Sequence, residues 1–224
     1  MHLRGVLHFR THSSNPSKAL AMIGSGRSLK SKAVMLAAIS AIAGLVETGE
    51  ATSPARADVQ KVLFVCVHGR TKQICPQLRA SLRAPDGWVE DRTAEAKQGR
   101  VIYVQKGKTF DTAPQAITVQ TTPNRAKTAP DVLTHRDQDN LKQEHKDVTI
   151  LPLPPIDNPR LGGPVKLFKL IVPDLKVRNT LVETRFLDKD ADGQTYSVEV
   201  TLSAQNDKAL AEVKPKFDQM IKGY

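Results

Sequence analysis

Residues 181–224 constrain this chain most, because they read in succession as strand, tight turn, strand and closing helix. Leu181, Val182, Thr184, Phe186 and Leu187 supply the β-branched and apolar residues of the first strand. Tyr196, Val198, Val200 and Leu202 then alternate with Ser197, Glu199, Thr201 and Ser203. A period of two marks a strand with one face against the interior and the other in water. Between the strands Asp190, Asp192 and Gly193 provide turn chemistry, with Gly193 free to take positive φ. Ser203 is placed to cap a following helix, on which Leu210, Val213, Phe217, Met220, Ile221 and Tyr224 form one apolar stripe. A hairpin and an amphipathic helix each have a face to bury. The other strands should therefore complete one sheet, with this helix packed on it.

Upstream, short apolar runs alternate with turns. Residues 62–67 read as a strand or an anchoring segment, and Pro76 begins one or two helical turns up to Arg83, with Leu78 and Leu82 on one face. Ala84, Pro85, Asp86 and Gly87 make a turn before Trp88, the single tryptophan, which is expected as a core or rim anchor rather than a ligand platform. A helical turn over 93–98 ends at Gly99; strands follow at 101–104 and 116–121. Thr128 and Asp131 have the spacing of a capping box around Pro130, which predicts a mostly wet helix over 129–145. Residues 147–153 form a strand that stops at the prolines 152, 154 and 155, and 165–172 is apolar enough for a central strand. The fold class is α+β: an antiparallel sheet flanked by helices, ending in a hairpin and an amphipathic helix.

The N-terminal part is not core. Residues 33–46 are an uncharged run of 14 preceded by Arg27, Lys30 and Lys32 and followed by Ala55 and Ala57, small residues spaced for signal-peptidase cleavage before Asp58. That is the three-part pattern of a secretory signal, and it is shorter than the roughly 20 residues that span a bilayer. Residues 1–57 are therefore expected as a leader and 58–224 as one globular domain, periplasmic or secreted, with no stable transmembrane anchor after processing. A start at Met22 gives the more typical leader length; a buried helix or an anchor is the competing reading. The formal charge of +10 shrinks accordingly: beyond residue 57 there remain 26 basic and 21 acidic residues, +5. These are interspersed rather than gathered on a basic face, so no nucleic-acid partner is expected.

Two cysteines, Cys66 and Cys75, are an even count in an oxidising compartment and are expected to be bridged. Closing so short a loop is worth roughly 2–3 kcal/mol in the chain-entropy account. A buried thiol pair or a redox pair are the alternatives, the latter without the usual Cys-x-x-Cys spacing.

Asp188, Asp190, Asp192, Gly193 and Glu199 match the calcium-loop string in full. The helix that should follow such a loop is replaced by a strand pattern, which holds Glu199 away from the aspartates. An acidic hairpin turn is the expected reading and calcium the alternative. The segment 61–68 resembles the start of low-molecular-weight tyrosine phosphatases, but Lys72 stands where their arginine belongs. Gly107, Lys108 and Thr109 end like a phosphate-binding loop whose first glycine would be Ile102. His68, His135 and His145 lack metal-ligand spacing, and no Ser-His-Asp order is legible.

The string Leu82-Arg83-Ala84-Pro85-Asp86-Gly87-Trp88-Val89 resembles the early Pro-x-Gly-Trp segment of PsbP-like proteins. Residues 182–186, 196–203 and the helix with Phe217 are similar to the final hairpin and helix of that family. The resemblance implies an α-β-α sandwich and a binding or assembly role; it transfers no functional residue, and the Cys66/Cys75 segment departs from the pattern. The expected function is an exported, non-enzymatic domain that binds a protein or envelope component and needs no cofactor. The alternatives are a ligand-binding protein or hydrolase with a site dispersed in sequence, and a calcium-binding module.

Overall fold

The structure, a computed structural model, describes residues 59–68 and 71–224. The expected leader and signal peptide lie outside the described residues, as does the side chain of His68. Two strands, β1 (Val59–His68) and β2 (Thr71–Ala80), pair only with each other as a long antiparallel hairpin. Seven others form one antiparallel sheet: β3 (Trp88–Glu90), β4 (Val101–Gln105), β5 (Gln115–Pro123), β6 (Thr149–Asn158), β7 (Gly163–Ile171), β8 (Thr180–Lys189) and β9 (Thr195–Ala204). Their order across the sheet is β3-β4-β5-β9-β8-β7-β6. Three helices accompany them: α1 (Arg92–Gln98), α2 (Pro130–Glu144) and α3 (Asp207–Lys222). The fold is α+β with a C-terminal helix, as its alternating and helical periods predict.

The hairpin β8–β9 pairs from Thr180 opposite Ala204 to Lys189 opposite Thr195. Gly193 takes φ 75° in the turn, and the Asp190 carboxylate accepts from the backbone N–H groups of Asp192 and Gln194 at 3.0 and 2.9 Å. One face of this hairpin carries Val182, Phe186, Val198, Val200 and Leu202, all buried with Leu210, Val213, Phe217 and Ile221 of α3. Each such side chain contributes roughly 1.5–3 kcal/mol by leaving water. Trp88 is part of the same core.

The opposite face is covered too. Ala94 of α1 packs with Ile102, Val104 and Ala116, while α2 lies over β8, where Asp137 meets Arg185. Helices thus flank both faces of the sheet. The side of β9 expected to be wet is instead largely enclosed: Ser197 and Ser203 are buried and Glu199 is half-buried.

Several local expectations are corrected. Pro76 does not open a helix; it sits inside β2, tolerated because a two-stranded ribbon leaves an open edge for a residue without an N–H. Prolines 152, 154 and 155 do not end β6, which runs on to Asn158; it is the outermost strand, and its register shifts between Leu153 and Ile156. The apolar β7 is not central: β9 is. Asn206, not Ser203, caps α3 by accepting from Ala209 N–H at 2.9 Å, because the strand continues through Ser203. Thr128 makes no capping box. Its N–H and carbonyl are engaged by the Asn124 side chain at 3.0 and 2.8 Å, and α2 begins at Pro130 without a side-chain cap.

Candidate functional site

The covered sheet face carries an unusual load of charge. Residues 183 and 185 of β8, 197 and 199 of β9 and the approach to β4 at Arg100 share it, by the alternation of the strands. Arg185 is the hub: its side chain is 5 % exposed. Its guanidinium donates to Asp137 of α2 at 2.6 Å and to Glu199 of β9, and lies 3.9 Å from Glu183. Burial pushes the Glu183 carboxyl up to about 8, with Glu199 adding to the rise and Arg185 opposing it. A buried acid flanked by another carboxylate holds its proton to remain neutral. Arg100 is shifted down by burial, against the pull of Glu199.

Beside this cluster opens a cleft of about 270 Å³. One wall is the loop after β5, residues 124–128, which Asn124 pins through the two bonds to Thr128 and through its own N–H to Thr195 O at 2.9 Å. The other wall is the start of α2 with Leu133 and Arg136; Arg185 and Ser197 form the floor. Arg125 joins from the loop. Among the described residues the Ser197 hydroxyl, 3 % exposed, and the Arg185 Nε meet no hydrogen-bond partner. Among the described residues no base is hydrogen-bonded to Ser197. A second cleft of about 230 Å³ lies between α1 and the loop 109–111, lined by Asp91, Lys97 and Phe110.

The expected site residues are placed as follows. Cys66 and Cys75 are brought to bonding distance across the β1–β2 hairpin, diagonal partners with Cα atoms 5.8 Å apart. Asp188, Asp190, Asp192 and Glu199 are not brought together. Asp190 closes its own turn and accepts from the Tyr196 hydroxyl at 2.7 Å, Asp188 accepts from the Tyr224 hydroxyl, and Glu199 faces Arg185 on the other side of the sheet. No group of three or more metal-ligating side chains forms among the described residues. His145 is tied through Nδ1 to Asp174 at 2.8 Å, and His135 through Nδ1 to the Asp131 carbonyl at 2.7 Å.

The hairpin β1–β2 carries a second feature that the sequence reading did not assign. Leu63, Val65 and Ile74 are 74, 53 and 72 % exposed and share one face of the ribbon, with Pro76 opposite Leu63. The base of the hairpin is embedded, through Val59 and Ala80 in the core and Arg79, which reaches Glu90 at 3.0 Å and the buried Glu95 at 3.3 Å; Gln77 and Cys66 are buried on the other face of the ribbon. No described helix is long and apolar enough to cross a membrane. No family model matches the chain, and no curated protein matches it.

Proposed function

We propose that this chain is an exported, non-enzymatic binding domain of PsbP-like type, and that it engages a partner protein in the cell envelope through the outer half of its N-terminal hairpin. The single observation that supports this reading is the apolar face of Leu63, Val65 and Ile74, exposed on a ribbon whose base is embedded in the core. Val89, Val132, Leu151 and Val177 are exposed one to an element, whereas these three share one face of one ribbon, and a grouped exposed apolar patch is the usual mark of an interface. The cross-strand pairing of Cys66 with Cys75 stiffens the ribbon, so less ordering entropy is lost on binding. The charges on the same face are the exposed Lys61 and Lys72, which suits a partner presenting an apolar segment flanked by acids. Export supplies the oxidising compartment in which that disulfide persists.

The test places a photo-reactive residue at position 63 or 74 of the exported chain. A discrete adduct with one envelope protein, lost when Val65→Asp is added and absent when the probe sits at Gln60 on the other face, is expected. A cross-link only between copies of the chain, or Leu63-dependent flotation with anionic vesicles, would refute the protein-partner assignment.

A further inference from the structure

We infer that the cleft between the 124–128 loop and α2 is a binding site for a phosphate group, free or carried as a monoester. Three guanidinium groups border it from three separate elements: Arg125 from the loop, Arg136 from α2 and Arg185 from β8. The floor adds two donors deep in the protein, the Ser197 hydroxyl and the Arg185 Nε, and among the described residues neither has a partner. Buried polar groups in folded proteins are satisfied by protein, water or ligand, so two unsatisfied donors on residues that line one cleft ask for an acceptor. Guanidinium and hydroxyl donors select an oxyanion.

The charge balance agrees. The far nitrogen of Arg185 is already engaged by Asp137 and Glu199, which anchors the floor and leaves Nε directed elsewhere. Arg125 is exposed, and Arg136 is held only by a loose 3.6 Å contact with Asp137 at the surface. Such a surface pair is worth little and yields readily to a stronger acceptor. Donors arriving from a floor and two walls fit the several acceptor oxygens of a tetrahedral anion better than the single plane of a carboxylate. A volume of about 270 Å³ also leaves room for an organic group attached to that anion. The walls are set in advance: Asn124 fixes the loop from both ends, so little has to be ordered when the anion arrives.

The site is remote in sequence from the hairpin face, and its test is independent of the partner test. Inorganic phosphate is titrated into the intact chain at constant ionic strength, with chloride and acetate as controls, and binding is read by calorimetry and amide chemical shifts. Saturable binding is expected, with shifts at residues 124–128 and 197. The exposed double variant Arg125→Gln/Arg136→Gln, which touches no core contact, should weaken it about tenfold or more, and Ser197→Ala should weaken it severalfold. Leu63→Asp should leave it unchanged. Absence of saturation, equal affinity for acetate, or an unaltered affinity in the double arginine variant would each overturn the assignment.

Discussion

The β1–β2 hairpin and the middle of the seven-stranded sheet invert each other. The hairpin holds Leu63, Val65 and Ile74 in water, whereas the sheet encloses Arg185, Glu183 and Ser197. Both arrangements act against the ordinary sorting of side chains, in which apolar groups leave water and charges stay in it. The two differ in how the cost is met. In the sheet it is offset inside the fold, by pairing Arg185 with two carboxylates and keeping Glu183 neutral. In the hairpin no contact among the described residues offsets it, and the proposed partner would do so. A buried polar group speaks of internal accounting or a ligand, an exposed apolar face of an interface.

The largest effect should come from breaking the internal pairing. Arg185→Ala takes the buried guanidinium away from Asp137 and Glu199 and leaves them only the exposed Arg136 beside Asp137 and the pull of Arg100 on Glu199. Removing one member of a buried charge cluster costs about 3–5 kcal/mol, and the low end applies here because Asp137 and Glu199 are partly hydrated. Urea unfolding checks this, and a loss no greater than that of a surface substitution would show that the cluster is not held by Arg185. Next comes the hairpin's own staple. Cys66→Ser/Cys75→Ser should cost roughly 2–3 kcal/mol if the ribbon unfolds with the domain. If the ribbon opens by itself, the domain's stability should hardly change, while amide exchange in residues 59–68 and 71–80 accelerates. That contrast tells whether the hairpin belongs to the same cooperative unit as the sheet.

The sheet's internal offset also has a pH signature. Glu183 titrates at about 8 in the fold, above the 4.5 of an unperturbed side chain. A carboxyl whose folded value is raised contributes most below its unfolded value. Its contribution is lost as pH rises from about 4.5 towards about 8, because ionisation then occurs in a buried place. Glu183→Gln keeps the shape and removes the titration. At pH above that window the variant should be the more stable, because it has no charge to hold in a buried place. Every kcal/mol recovered raises the Tm by about 2–4 °C in a domain of this size. Melting curves of both proteins across the window check it: parallel curves would mean that Glu183 ionises without penalty.

What was legible in the sequence follows from the same contrast. The final hairpin and α3 were readable because periods of two and 3.6 are local and need no knowledge of the rest of the chain. The alternation of Tyr196–Leu202 correctly identified two faces, but it assigned the polar one to water. Nothing local says that α2, more than 50 residues upstream of Ser197, returns to cover it. Arg185, Asp137, Glu199 and Arg100 each look like surface residues in their own segments, and only the register of β4, β5, β9 and β8 brings them together. Glu199 stands out in the sequence as the end of an acidic string; the strand holds it away from the aspartates as its pattern implies, but no local pattern shows the guanidinium that it faces. In the hairpin, Pro76 disguises β2 as a helix start, and the apolar run 62–67 reads as a strand or an anchoring segment. Its exposure depends on how little packs against it, which no spacing reveals.

The smallest stability effect should belong to the hairpin's apolar face, and there the comparison is most open to refutation. Leu63→Asp and Ile74→Asp replace side chains that are already about three-quarters in water. Neither change empties a core site or strands a buried charge, so each should shift unfolding free energy by no more than about 0.5 kcal/mol. The same substitutions should abolish the photo-crosslink to the partner and raise solubility, because an apolar edge of this kind is also a template for self-association. A loss of several kcal/mol would instead mean that Leu63 and Ile74 are packed against part of this chain in solution. The hairpin would then be an internal element like the sheet, and the inversion between the two regions would disappear.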